Sequence, residues 1–80
     1  PSSPSLAALQ ALLRSLLRIT TTDHRIFLGT FVGTDKDLNI LLVNTDEFRI
    51  SSTTKPDPAD GRYVGQVMIP WKMIKRIEAE

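Results

Sequence analysis

The spacing of apolar residues changes early in the chain, and the change separates a helix from a sheet. Leu6, Leu9, Leu13, Leu16 and Leu17 recur at three- and four-residue intervals among strong helix formers. That period predicts one amphipathic helix over residues 6–16, about three turns long. Ser3 followed by Pro4 suits an N-cap with proline at the first helical position. Pro1–Ser5 reads as a flexible lead-in, and the helix is expected to cover an open end of the sheet that follows, with docking on a partner as the alternative.

From Arg18 the period shortens to two, and β-branched and aromatic residues dominate. Strands are predicted over Leu17–Thr21 and Arg25–Thr34, joined by the turn Thr22-Asp23-His24. Phe27, Gly29, Phe31 and Gly33 alternate on one face of the second strand. Glycine inside a strand marks a sharp bend or a close backbone approach, so this strand should curve strongly. Asp35–Asn39 is a tight turn. A long third strand follows, with Leu38, Ile40 and Leu42 facing one way. Residues 50–61, "ISSTTKPDPADG", form a flexible loop. "RYVGQVMI" is a fourth strand with Gly65 inside it. After Pro70 and Trp71 comes a short fifth strand, "KMIKRI". The predicted fold is mostly β: an N-terminal α-helix, then a strongly bent five-stranded antiparallel sheet forming an open barrel, all within one domain over 6–80.

Composition narrows the chemistry. An 80-residue chain buries roughly 60–65% of its unfolded surface, so its core is marginal and a partner is a natural source of further stability. There is no cysteine, which excludes disulfides and thiolate zinc sites and fits a reducing compartment. Ten basic and nine acidic residues are interspersed, for a net charge of +1. A nucleic-acid module concentrates its cations on one face. Here only Lys72, Lys75 and Arg76 cluster, and they read as a solvated face. The apolar run Leu6–Leu17 carries Gln10 and Arg14. It is too short to cross a bilayer, so no membrane partner is expected.

No catalytic constellation is present in the sequence. The single histidine, His24, lies in a predicted turn, so no multi-histidine metal set can form. A serine triad would have to recruit His24 without a nucleophile elbow. "GTFVG" lacks the lysine of a phosphate loop and lies within a strand. Asp35 and Asp37 flank one residue in a turn, where aspartate is favoured for its own hydrogen bonds. No catalytic, cofactor or metal residue is assigned.

The motifs carry a resemblance. "FLGTFVG", "TDKDLNILL", "DEF" and "VGQVMIPWKMIKRIE" follow one another in a helix-plus-five-strand order. This resembles the Sm/LSm family over about residues 6–78, with Gly29, Asp35, Leu38, Asn39 and Ile40–Leu42 in the places of its first motif. The resemblance implies rings that hold one nucleotide per subunit. Their pocket combines the motif asparagine, a stacking residue two positions before it, and an Arg-Gly pair in the second motif. Asn39 and Asp35 are retained. Asp37 stands at the stacking position, with no π-face and a charge that repels phosphate. Pro70 and Trp71 stand where Arg-Gly is expected. Two of the three pocket elements are gone, which argues against nucleic acid.

"VGQVMIP" is similar to one divergent branch of that family, the auxiliary subunits of the NatC N-terminal acetyltransferase. That resemblance implies a non-catalytic role in a cytoplasmic heteromer with a large scaffold subunit and a catalytic subunit. The complex modifies N-termini that start with Met followed by a bulky apolar residue. The alternative reading is an RNA-binding LSm ring subunit. A physical argument for partner binding stands beside the resemblance. An open barrel leaves the fourth and fifth strands with unpaired edges. Those strands carry Tyr63, Val64, Val67, Met68 and Ile69, then Met73, Ile74 and Ile77. Pro70 limits ladder pairing past the fourth strand. Trp71 reads either as an interface anchor or as packing under the long loop.

Overall fold

The computed structural model describes residues 6–50 and 61–80. The lead-in over 1–5, the Ser3–Pro4 cap and nearly all of the expected flexible loop lie outside the described residues. Among the described residues the helix is α1 (Leu6–Ala11) and the strands are β1 (Leu16–Thr21), β2 (Arg25–Thr34), β3 (Ile40–Arg49), β4 (Arg62–Ile69) and β5 (Ile74–Ala79). A single 3-10 turn over Trp71–Met73 joins β4 to β5.

The helix stops at Ala11, well short of the predicted 6–16. Backbone pairing with β2 takes over the rest. The Arg14 N–H donates to Phe31 O at 2.7 Å, and the Phe31 N–H donates to Ser15 O at 3.0 Å. Leu16 and Leu17 then face Thr30 and Gly29 across an antiparallel ladder. Leu17 points into the core while Leu16 points out, an alternation that a helix does not give. Arg14 makes the corner at a left-handed φ of 70°. The two local periods compete here, and a ladder bonded to a buried strand wins over a short helix.

All neighbours in the sheet run antiparallel, in the order β4-β3-β2-β1-β5. The sheet is not closed, because β4 and β5 are its two edges. Its inner face wraps one core of Leu17, Ile19, Phe27, Phe31, Ile40, Leu42 and Ile69, with Leu9 of α1 seated on it. Trp71, Ile74 and Ile77 pack against the same cluster. The third strand starts at Ile40 rather than Leu38. Leu38 is exposed, at φ 61°, because the turn before β3 needs a left-handed residue there. The fifth strand starts at Ile74, two residues later than predicted, since the 3-10 turn uses up Trp71–Met73.

Curvature comes from shifts in ladder register. They fall between Leu28 and Thr30, between Phe31 and Gly33, and around Thr45 in the β3–β4 pairing. Gly29 makes the first of these possible. A Cβ built there would overlap the Thr45 hydroxyl and lie 3.0 Å from Thr45 Cβ and 3.2 Å from Leu42 Cβ. The Thr45 hydroxyl is buried with no hydrogen-bond partner among the described residues, and turning it aside would leave both close Cβ contacts in place. Gly29→Ala is therefore expected in the middle of the overpacking range, about 2 kcal/mol. Urea unfolding checks this: the midpoint should fall while the slope stays constant.

Candidate partner-binding surface

A groove of about 270 Å³ opens beside the unpaired β4 edge and the β4–β5 connection. It is lined by Val67, Met68 and Ile69 of β4, by Pro70 and Met73 of the connection, and by Thr21, Arg25 and Phe27. Pro70 shapes this seam. The β3–β4 ladder ends at the pair Ile40 and Ile69, one residue before it. A proline with φ −61° and ψ 137° then starts the 3-10 turn, and its carbonyl accepts the Met73 N–H at 3.0 Å. The Thr22 N–H donates to Met73 O at 2.9 Å, which ties this connection to the β1–β2 turn.

The residues expected at the surface divide by exposure. Tyr63 is 68% exposed and Met68 55%, the two most exposed large apolar side chains among the described residues. Val64, Val67, Met73, Ile74 and Trp71 are half-buried, and Ile69 is buried. Tyr63 lies over Gly65, with ring carbons 3.7 and 3.9 Å from where a Cβ would stand. Gly65 itself takes a left-handed φ of 77°. The outer part of the surface is therefore Tyr63 and Met68, while Trp71 and Ile74 connect the seam to the core.

A charge network that the sequence did not reveal flanks the groove. Glu47 of β3 is only 3% exposed and receives two arginines. Arg25 Nη1 donates to Glu47 Oε2 at 2.8 Å, and Arg62 Nε donates to Glu47 Oε1 at 2.8 Å. Arg25 also donates through Nε to Asp23 Oδ2 at 2.8 Å, with Nη2 2.6 Å from the same oxygen. The Thr21 hydroxyl donates to Asp23 Oδ1. The Arg25 guanidinium lies 5.0 Å from the Phe27 ring centroid. Hydrogen bonding from Arg25 pulls the Glu47 carboxyl below its ordinary range, with Arg62 helping, against burial that acts upward. Arg25 likewise lowers Asp23, reinforced by Thr21. The cation beside the groove is thus neutralised by two carboxylates, and the groove presents apolar surface. A signal existed in the sequence. Asn44, at φ 51°, offsets β3, so the inner positions run Ile40, Leu42, Thr45, Glu47. Only a reader who places that offset finds Glu47 facing inward.

The motif turn is closed by one carboxylate. Asp35 Oδ1 accepts the N–H groups of Asp37 at 2.9 Å and Asn39 at 3.0 Å, and Oδ2 accepts Asn39 Nδ2 at 2.8 Å. The Asn39 backbone N–H leads in holding the Asp35 carboxyl below its usual range. Asp37 is exposed, and the register brings Asn39 beside Pro70. His24 is an exposed turn residue at φ 65°. Among the described residues, no three His, Cys, Asp or Glu side chains gather as a metal site. Nor is any helix among them long and apolar enough to cross a membrane. Lys72, Lys75 and Arg76 are all exposed.

Comparison with known proteins completes the site. The LSM domain model matches residues 7–78. The chain is 38% identical over 72 residues to a Danio rerio N-alpha-acetyltransferase 38, NatC auxiliary subunit, covering 90% of this chain and 65% of that protein. It is 34% identical over 80 residues to the Xenopus laevis protein 38-A of that description, covering all of this chain and 70% of the relative. The chain thus spans about two thirds of the length of the curated relatives it matches. A chain in a crystal structure of the NatC complex bound to CoA superposes with a TM-score of 0.69 at 25% identity, covering 100% of this chain and 90% of that one. A heptameric archaeal Sm protein superposes at 0.73 with 16% identity, covering 92% and 97%, and shares the fold.

Proposed function

The chain belongs to the LSM domain family, among its NatC auxiliary subunits, and from that premise we propose that it is a non-catalytic subunit supporting assembly of a NatC acetyltransferase. Residues 6–80 act as one Sm-like domain. Its partners are a large scaffold subunit and a catalytic subunit, in the cytoplasm, and the complex acetylates N-termini that start with Met followed by a bulky apolar residue. The observation that carries the reading is the apolar seam beside the unpaired β4 edge and the β4–β5 connection. Its neighbouring cation is already neutralised by Glu47 and Asp23. Such a seam favours an uncharged, apolar protein segment over phosphate. Val67, Met68, Ile69 and Met73 line it, and the proposed contact extends along the same edge and connection over Tyr63, Val64, Trp71 and Ile74, with Tyr63 and Met68 outermost.

The base-reading set of an RNA-binding relative is not assembled here. Asp37 replaces a stacking ring, and Pro70 and Trp71 stand in place of a cationic donor.

The test is reconstitution. Met68→Glu places a charge on the exposed rim and is expected to weaken binding to the scaffold subunit at least about ten-fold. The melting temperature of the isolated chain should change little, since Met68 is more than half exposed. Titration calorimetry and a thermal melt check both halves. A purified chain that closes into a homomeric ring, or binds uridine-rich RNA tightly through Asn39, would overturn the reading.

A further inference from the structure

Three of the most exposed large apolar side chains stand away from the seam. Leu13 is 45% exposed and Val32 40%, and both line a second groove of about 240 Å³ floored by Leu9 and Phe31. Leu16, 42% exposed, pairs opposite Thr30, which puts it two positions from Val32 on the outer side of the sheet. Single exposed apolar residues are ordinary, but a cluster of them around a groove marks a contact surface. The groove is smaller than the roughly 300–1,000 Å³ that small-molecule pockets occupy, which fits side chains from a protein.

The backbone limits how a partner can bind. The second strand lies between β1 and β3: Phe31 exchanges hydrogen bonds with Arg14 and Ser15 on one side, and Gly33 and Thr34 pair with Leu41 and Ile40 on the other. Only the three residues after Phe31 extend past the bonds to the β1 side, too short a stretch for strand addition, so recognition runs through side chains. That is the mode of an amphipathic helix laid in a groove. Charge selects its polar edge. None of the groove-lining residues is charged. Arg14 follows Leu13 at the rim, exposed, with no side-chain partner among the described residues. The carboxylate of Glu80, whose N–H bonds Leu16 O, is already 3.7 Å from Arg18.

We propose that this face receives an amphipathic helix of a partner subunit, with its apolar stripe over Leu13, Leu16 and Val32 and a carboxylate against Arg14. The inference rests on the assembly proposed above and adds a second contact, separate from the β4–β5 seam. Reconstituting the three-subunit complex and following amide hydrogen exchange tests it. Peptides spanning 12–16 and 31–34 should exchange at least about ten-fold more slowly in the complex than in the isolated chain. Val32→Glu should weaken assembly by about ten-fold or more. Arg14→Glu should weaken it as well, by a factor that shrinks as salt rises. Both variants should melt with the wild type. A wild-type complex that protects the seam but leaves 12–16 and 31–34 unprotected overturns the inference alone. So does an Arg14→Glu chain that binds as well as wild type or better. A wild-type chain that does not assemble overturns the auxiliary-subunit reading, and this inference with it.

Discussion

Trp71→Ala is expected to lower the melting temperature of the isolated chain by roughly 10–20 °C. The side chain is half-buried and packs against the core cluster. Full removal of a buried tryptophan costs about 3–5 kcal/mol, and partial burial scales this to about 2–3. In a domain this small, each kcal/mol moves the melting temperature by about 4–8 °C. Binding to partner subunits should fall as well, because Trp71 holds the 3-10 turn that shapes the seam. The comparison with Tyr63→Ala separates the two effects. Tyr63 is exposed, so its loss should reduce assembly and leave the melt nearly unchanged. If Trp71→Ala melts with the wild type, the tryptophan contributes nothing to the barrel and acts on the partner alone.

Glu47→Gln carries the second large effect, and its sign depends on pH. Breaking a buried ion pair costs about 3–5 kcal/mol when the orphaned charge stays buried. Here Arg25 and Arg62 keep access to water, with side chains 34% and 70% exposed. That brings the expected loss near neutral pH to about 2 kcal/mol. The folded Glu47 carboxyl is held below its ordinary value of 4.5. Its contribution is therefore fully present above that value and is lost as pH falls through the folded value. Thermal melts between pH 7 and pH 3 should show the gap between wild type and Glu47→Gln narrowing only on the acid side of 4.5. A gap that stays constant across that range would mean that the network contributes packing and no charge interaction.

How far the sequence could be read depended on how local its signals were. The ends of β2 and β4 match the predicted residues because turn residues and alternation set them within the segment. The helix end was hidden because Leu13, Leu16 and Leu17 satisfy a helical period. What ends it is the distant β2 backbone, which no local pattern reports. Leu38 reads as a strand residue by hydrophobicity, yet the Asp35 turn holds it left-handed and outside β3. The inward position of Glu47 needed knowledge of the offset at Asn44, whose asparagine reads as an ordinary strand residue. At the partner surface, sequence placed the right strands at the edges. It could not say which apolar side chains face the core and which face outward, since both classes are apolar.

The Asp35 turn also bears on how such chains are sorted by sequence. The Asn39 amide group donates to Asp35, and these are two of the residues on which the resemblance to the family rests. The pair is explained fully by the geometry of one reversal between two strands, whatever the chain binds. Selection for a foldable backbone is then enough to preserve it long after a ligand has been lost. A motif search that scores Asp35 and Asn39 as evidence of RNA binding would count shared architecture as shared chemistry. The informative position is the one beside it, Asp37, which is exposed and enters the turn only through its backbone N–H.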